Sequence, residues 1–209
     1  MKLTPQEELT VQAYNEGAIE WEKEHSDTSY WKEELETFNK LLPTGKVLET
    51  GCGGGRDAKV LISKGYDYVG TDVASEFIKV AKKVVRGGKF VCKSVYDLGF
   101  ANNEFDGFWA SAVFLHMPKN RIDEALQEVA RVTKPNGIGF ISIKQGKGEP
   151  IIEEDFAGSD RKLKRFWAFY HKPEFDEVLK RNKLEIINFK KWPKSKRTTW
   201  LIYFVKVKK

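Results

Sequence analysis

Apolar positions along the chain change period several times, and each change marks an element. Residues 6–23 carry a helical repeat, with Leu9, Ala13, Gly17 and Glu20 on one line and Val11, Tyr14, Ala18 and Trp21 on the next. A second helix is predicted over residues 30–42, with Ser26-Asp27-Thr28 as its cap and Pro43 as its stop. From Val47 onward, short apolar runs alternate with helical repeats. Strands are predicted at the run entering Gly51 and over residues 66–72, 89–93, 104–112 and 138–144. Helices fall between them, including one after Pro118 with Ile122, Ala125, Leu126, Val129 and Val132 on a single face. Residues 145–171 do not read as regular structure throughout. A helix over 173–182 and two strands, 184–189 and 198–205, complete the chain; the short loop between these strands makes them antiparallel neighbours. Alternating strands and helices imply an α/β fold around a parallel sheet.

The chemistry concentrates at Lys46-Val47-Leu48-Glu49-Thr50-Gly51-Cys52-Gly53-Gly54-Gly55-Arg56. A buried strand runs into a glycine turn, and a helix starts at once. Glycine admits positive φ and close approach of a ligand to backbone. Such a turn makes a nucleotide-type pocket at the carboxyl end of the strand. A dinucleotide fingerprint needs a third glycine where Arg56 stands, and a phosphate loop needs a Gly-Lys-[Ser/Thr] run that is absent. About twenty residues on, the next strand ends in Asp72, where one carboxylate can accept from two adjacent ribose hydroxyls.

An acid followed by G-x-G-x-G, with Asp72 at the next strand end, resembles class I S-adenosylmethionine-dependent methyltransferases. Leu115-His116-Met117-Pro118 and Lys134-Pro135-Asn136-Gly137 match the family's recurring L-H-x-P and K-P-x-G runs. The resemblance covers the chain from about Val47 to its end and is nearest to small stand-alone enzymes, of the tellurite-resistance and small-molecule kind. It implies a Rossmann-like seven-stranded sheet, with five parallel strands, a C-terminal antiparallel hairpin and helices on both faces. It also implies S-adenosylmethionine as cofactor. Glu49 would lie near the cationic amino group, with Gly51, Cys52, Gly53 and Gly55 forming the loop. Asp72 would take the ribose and Val73 an adenine face. Ala110 and Ser111 would pass beside the methionine part. In the family an acid after strand three often receives the adenine amino group. Here Ser94 stands at that place, with the Val95 N–H beside it, which is a departure. His116, Tyr14 and Tyr170 are the candidate bases if the acceptor must lose a proton; His116 reads equally as a structural residue of its loop. Residues 1–44 form amino-terminal helices and a candidate lid, and residues 45–209 form the cofactor-binding part. Residues 145–171 are an insertion on the substrate side, within a single domain overall.

Composition narrows the partners. The 209 residues are 41% hydrophobic and 32% charged, enough for a core and too polar for a membrane span. No apolar leader follows Met1, and Cys52 and Cys92 lack metal-ligand spacing, so a cytoplasmic protein without a metal is expected. Net charge is +6, unevenly placed: residues 144–209 hold 18 Lys and Arg against nine Asp and Glu. Those lysines are scattered and form no single stripe in the sequence, which favours a small-molecule acceptor over nucleic acid. Two other readings stay open: methylation of RNA or protein docked on the basic third, and cofactor binding without catalysis. The sequence names neither the acceptor atom nor the oligomeric state.

Overall fold

The computed structural model describes residues 2–156 and 161–209. Seven strands form one sheet: β1 (Lys46–Thr50), β2 (Asp67–Asp72), β3 (Lys89–Cys92), β4 (Phe105–Ser111), β5 (Thr133–Lys144), β8 (Leu184–Pro193) and β9 (Thr199–Val207). Their spatial order is β3-β2-β1-β4-β5-β9-β8. The first five run parallel, and β9 is antiparallel to both β5 and β8. This is the Rossmann-like sheet with a terminal hairpin that the resemblance implies. Val47 to Thr50 of β1 are all buried, as expected of a central parallel strand covered on both faces. Trp109 of β4 stacks on Phe140 of β5 at 3.6 Å. Phe38, from α3 (Lys32–Leu41), meets Trp109 edge-on.

Chain order reverses beside β1: the chain passes from β1 outward through β2 to β3, then returns to β4 on the other side of β1. A crevice opens at such a reversal, outside the carboxyl ends of the strands. Helices α4 (Arg56–Ser63), α5 (Ser75–Val84) and α6 (Ile122–Val132) connect the strands.

Four expectations change. The helix predicted over 6–23 is two helices, α1 (Pro5–Glu16) and α2 (Ala18–Glu24), broken at Gly17. A Cβ on Gly17 would lie 2.2 Å from Phe156, so the break follows from packing against a distant segment. Ser26-Asp27-Thr28 does not cap α3, whose N-cap is Trp31 without a side-chain bond; Asp27 instead accepts from Ser29. The K-P-N-G run lies within β5 as a bulge. Pairing shifts between Phe105↔Thr133 and Gly107↔Ile138, with Asn136 at φ 63°. Finally, the segment from 145 to 171 holds a hairpin of its own, β6 (Ile151–Asp155) with β7 (Lys162–Phe166), which packs on α1. Alternating charged residues hid it, because its strands are largely solvated and carry no apolar run. Residues 157–160 of that segment lie outside the described residues. Helix α7 (Lys172–Arg181) then leads into β8.

Candidate functional site

The glycine loop is held by three left-handed residues, Gly51, Gly53 and Gly55, at φ 67°, 51° and 91°. Their surroundings differ. A Cβ on Gly51 would strike Val113 at 2.2 Å, and one on Gly55 would strike Val85 at 2.7 Å. One on Gly53 would meet nothing within 4 Å, so the Gly53 backbone alone faces open space. Its N–H donates to Asp72 Oδ2 at 2.9 Å, and the Ala74 N–H donates to Oδ1 at 2.8 Å. These bonds fix the carboxylate at the crevice and leave each oxygen a lone pair. Burial lifts the Asp72 carboxyl to about 6, against the pull of those N–H donors.

Glu49 is buried at the loop entrance and accepts from the Tyr68 hydroxyl. Burial, with Asp57 nearby, pushes its carboxyl well above the usual range. Asp57 is occupied: Arg56 donates to both its oxygens, at 2.6 and 3.0 Å, and Trp109 Nε1 donates at 2.9 Å. Burial raises the Cys52 thiol, which leaves it a small packed side chain.

One cleft brings together most of the expected residues. Glu49, Gly51, Cys52, Gly53, Asp72, Val73, Ser94, Val95, Ser111, Tyr14 and His116 all line it. Gly55 and Ala110 do not: Gly55 lies under Val85 and Ala110 is buried within β4. Tyr170 is not in the cleft either. Its ring is buried against Phe175 of α7, and it pairs by backbone with Gln145.

Helices α1 and α2 cross above the cleft. Tyr14 and Trp21 pack with Phe77 and Ala74 at the start of α5, and Asn15 Oδ1 accepts the Glu76 N–H there. Glu22 of α2 lies so close to Gly54 that a Cβ there would meet its side chain at 2.7 Å. Tyr14 also joins a chain of hydrogen bonds between three segments. His116 Nδ1 faces the Phe166 carbonyl at 2.7 Å, so Nδ1 carries the proton. Burial and the Arg165 charge press the His116 pKa down to about 3, leaving Nε2 bare to accept from the Tyr14 hydroxyl at 2.8 Å. Arg165 Nη1 donates to the same hydroxyl at 3.0 Å and pairs through Nη2 with Glu154. The Arg165 guanidinium lies within 5.3 Å of four ring centroids, those of Tyr14, Trp21, Phe156 and Trp167. Arg165 stands in the charged, irregular-looking stretch and gave no local signal. Phe77 and Arg56, which also line the cleft, were legible only as a helix start and a failed fingerprint position.

Residues 48–141 match the model of a methyltransferase domain family. That stretch of the chain is similar to a methyltransferase domain. An uncharacterized protein of Methanocaldococcus jannaschii is 37% identical over 115 residues, 54% of this chain and 51% of that one. Methyltransferase GfsG of Streptomyces halstedii is 34% identical over 99 residues, 44% of this chain and 35% of that one. The chain thus matches about half or less of the length of these curated relatives. Among solved structures, a Burkholderia thailandensis 1,6-didemethyltoxoflavin-N1-methyltransferase superposes over 100% of this chain and 93% of that one, with a TM-score of 0.78 and 17% identity. The [4+2]-cyclase SpnF covers 84% of this chain and 80% of its own, at a TM-score of 0.62 and 17% identity. Both likenesses are of fold. The fold is that of the class I S-adenosylmethionine-dependent methyltransferases.

Proposed function

We propose that the cleft binds S-adenosylmethionine and that the protein transfers its methyl group to a small-molecule acceptor by in-line displacement. The observation that carries this reading is the pairing of Asp72 with Gly53. A carboxylate with free lone pairs is bonded to the one loop glycine that faces open space. A ribose fits the first, and a methionine tail passing over bare backbone fits the second. Val73, Ser94 and Val95 frame the place for the base, and Glu49 at the loop entrance supplies carboxyl oxygens to accept from the cationic amino group. The sulfonium supplies the reactivity; the chain's task is to hold the two partners in line and keep water out.

A cleft roofed by Tyr14 and Trp21 leaves room for a small acceptor, and the toxoflavin enzyme, whose structure holds 1,6-didemethyltoxoflavin and S-adenosylhomocysteine, is a small-molecule case. His116 serves as a positioning residue in this reading, since both ring nitrogens are engaged and burial disfavours its charged form. A [4+2]-cyclase shares this fold, which favours one second reading, cofactor binding without methyl transfer.

Calorimetry with S-adenosylmethionine and S-adenosylhomocysteine tests the binding step. We expect micromolar or tighter affinity, and Asp72→Ala should remove most of it. No heat from folded wild-type protein would end the reading. S-adenosylhomocysteine release against a panel of small oxygen, nitrogen and sulfur acceptors then separates transfer from binding alone.

A further inference from the structure

One short cationic run of the basic carboxyl-terminal third is brought by the fold beside the cleft. Strand β9 runs antiparallel to β5, and Trp200 pairs with Lys144 at the carboxyl end of β5. The β8–β9 turn therefore lies at the cofactor end of the sheet. Residues 190–197 read Lys-Lys-Trp-Pro-Lys-Ser-Lys-Arg, five cations without an acid. Lys190 is neutralised by Glu33 and Glu34, and Lys191 alternates to the other face of β8. Lys194, Lys196 and Arg197 are exposed, and none of them forms an ion pair among the described residues.

Aromatic rings lie beneath this turn. Lys194 Nζ sits 4.9 Å from the Tyr30 ring centroid and 4.8 Å from that of Trp192, and the two half-buried rings are 5.5 Å apart. The Tyr30 hydroxyl accepts from Trp200 Nε1 at 3.0 Å, which fixes the ring. On the other side Arg56, a lining residue of the cleft, stacks over Tyr30 at 5.1 Å. A continuous ridge thus runs from the cleft edge through Arg56, Tyr30 and Trp192 to the cationic turn. The exposed Asp27 bears on both Arg56 and Lys194.

We propose that this ridge is a docking surface for single-stranded nucleic acid: phosphates take Lys194, Lys196 and Arg197, and a base stacks on the Trp192 and Tyr30 faces that Lys194 uncovers as its flexible side chain turns from the rings to a phosphate. Unpaired cations clustered on one turn match a phosphate backbone, and fixed ring faces between them match splayed bases. A lipid surface would instead call for protruding apolar side chains, and here the exposed turn presents Lys194, Lys196 and Arg197. The inference goes beyond the small-molecule reading and does not depend on it: the ridge lies beside the cleft, not in it.

The test uses the full chain and a fluorescein-labelled ten-nucleotide oligouridylate, read by anisotropy. Three phosphate contacts on a single strand give a slope of log affinity on log salt of about −2, or roughly 16-fold weaker binding from 50 to 200 mM salt. Lys194→Glu with Lys196→Glu and Arg197→Glu should cut affinity at least tenfold, with S-adenosylhomocysteine affinity unchanged. Trp192→Leu should weaken binding and leave the salt slope as it was. A duplex of the same length should bind at least tenfold less tightly, because its bases are already stacked. The proposal is overturned if the oligonucleotide fails to bind at 50 mM salt, if the triple variant binds it as the wild type does, or if duplex binds equally. Binding to phosphatidylserine vesicles without binding to oligonucleotide would overturn it in favour of a membrane. Loss of cofactor heat with oligonucleotide binding intact would count against the methyltransferase reading and leave the ridge standing.

Discussion

Asp72 has one backbone N–H on each oxygen and a pKa raised by burial from 3.8 to about 6. Two effects of pH follow, and they run in opposite directions. The folded chain holds the Asp72 proton more firmly than the unfolded chain does. Its contribution to stability is therefore fully present below about pH 4 and is lost as pH rises through about 6. Cofactor binding needs the carboxylate, because ribose hydroxyls donate to it. S-adenosylhomocysteine affinity should therefore fall as pH drops through about 6, by about tenfold at pH 5. Calorimetry from pH 8 to 5 checks this, and in Asp72→Asn the pH step should vanish along with most of the affinity. A step unchanged in Asp72→Asn would assign it to Glu49, the other raised carboxyl of the cleft. Asp72 was legible in the sequence because its position depends only on one strand and one turn. The neutral state of His116 was not, because it depends on Phe166 and Arg165, 50 and 49 residues further along the chain.

Among the elements, the joint between α1 and α2 separates local preference from packing. Alanine exceeds glycine in helix propensity by about 1 kcal/mol, so Gly17→Ala should stabilise an isolated helix. In the folded chain the new Cβ would lie 2.2 Å from Phe156 Cε1, and overpacking costs about 1–3 kcal/mol. We expect Gly17→Ala to lower the melting temperature and Gly17→Ala in a Phe156→Leu background to raise it. A stabilised single variant would show that the ring yields. The same hairpin is tied to α1 by the Phe166 N–H, which donates to Thr10 Oγ1 at 2.9 Å. The hairpin itself escaped the pattern because its register alternates charge with half-buried positions, as in Glu153↔Lys164 and Ile152↔Arg165.

For the molecule as a whole, the core falls into two unequal parts. One cluster spans the sheet and its helices, from Trp31 to Val207. The other is small, with Ala18, Ala74 and Phe77 at its centre and Val11, Tyr14 and Trp21 against it. Helices α1 and α2 rest on the small cluster and on polar ties to Arg121, Tyr96 and Arg165. Segments with fewer buried apolar contacts open at lower free energy than the core. Amides of α1 and α2 should exchange with deuterium faster than those of β1, β4 and β5, and saturating S-adenosylhomocysteine should slow α1 and α2 most. Uniform exchange across α1, α2 and the sheet, with or without the nucleoside, would show that these helices are no lid.

By itself the sequence determined the α/β class, the parallel order broken by a terminal hairpin, the glycine loop and Asp72. Each is set by near neighbours: a run of apolar residues, a turn that only glycine can make, an acid at a strand's end. Tertiary structure alone decided what stands over and beside the cleft. Tyr14 and His116 are 102 residues apart in the chain, Tyr14 and Arg165 151, and Tyr30 and Trp200 170. Contacts of that span are fixed by how helices cross the sheet and where β9 returns beside β5, and no local period records either.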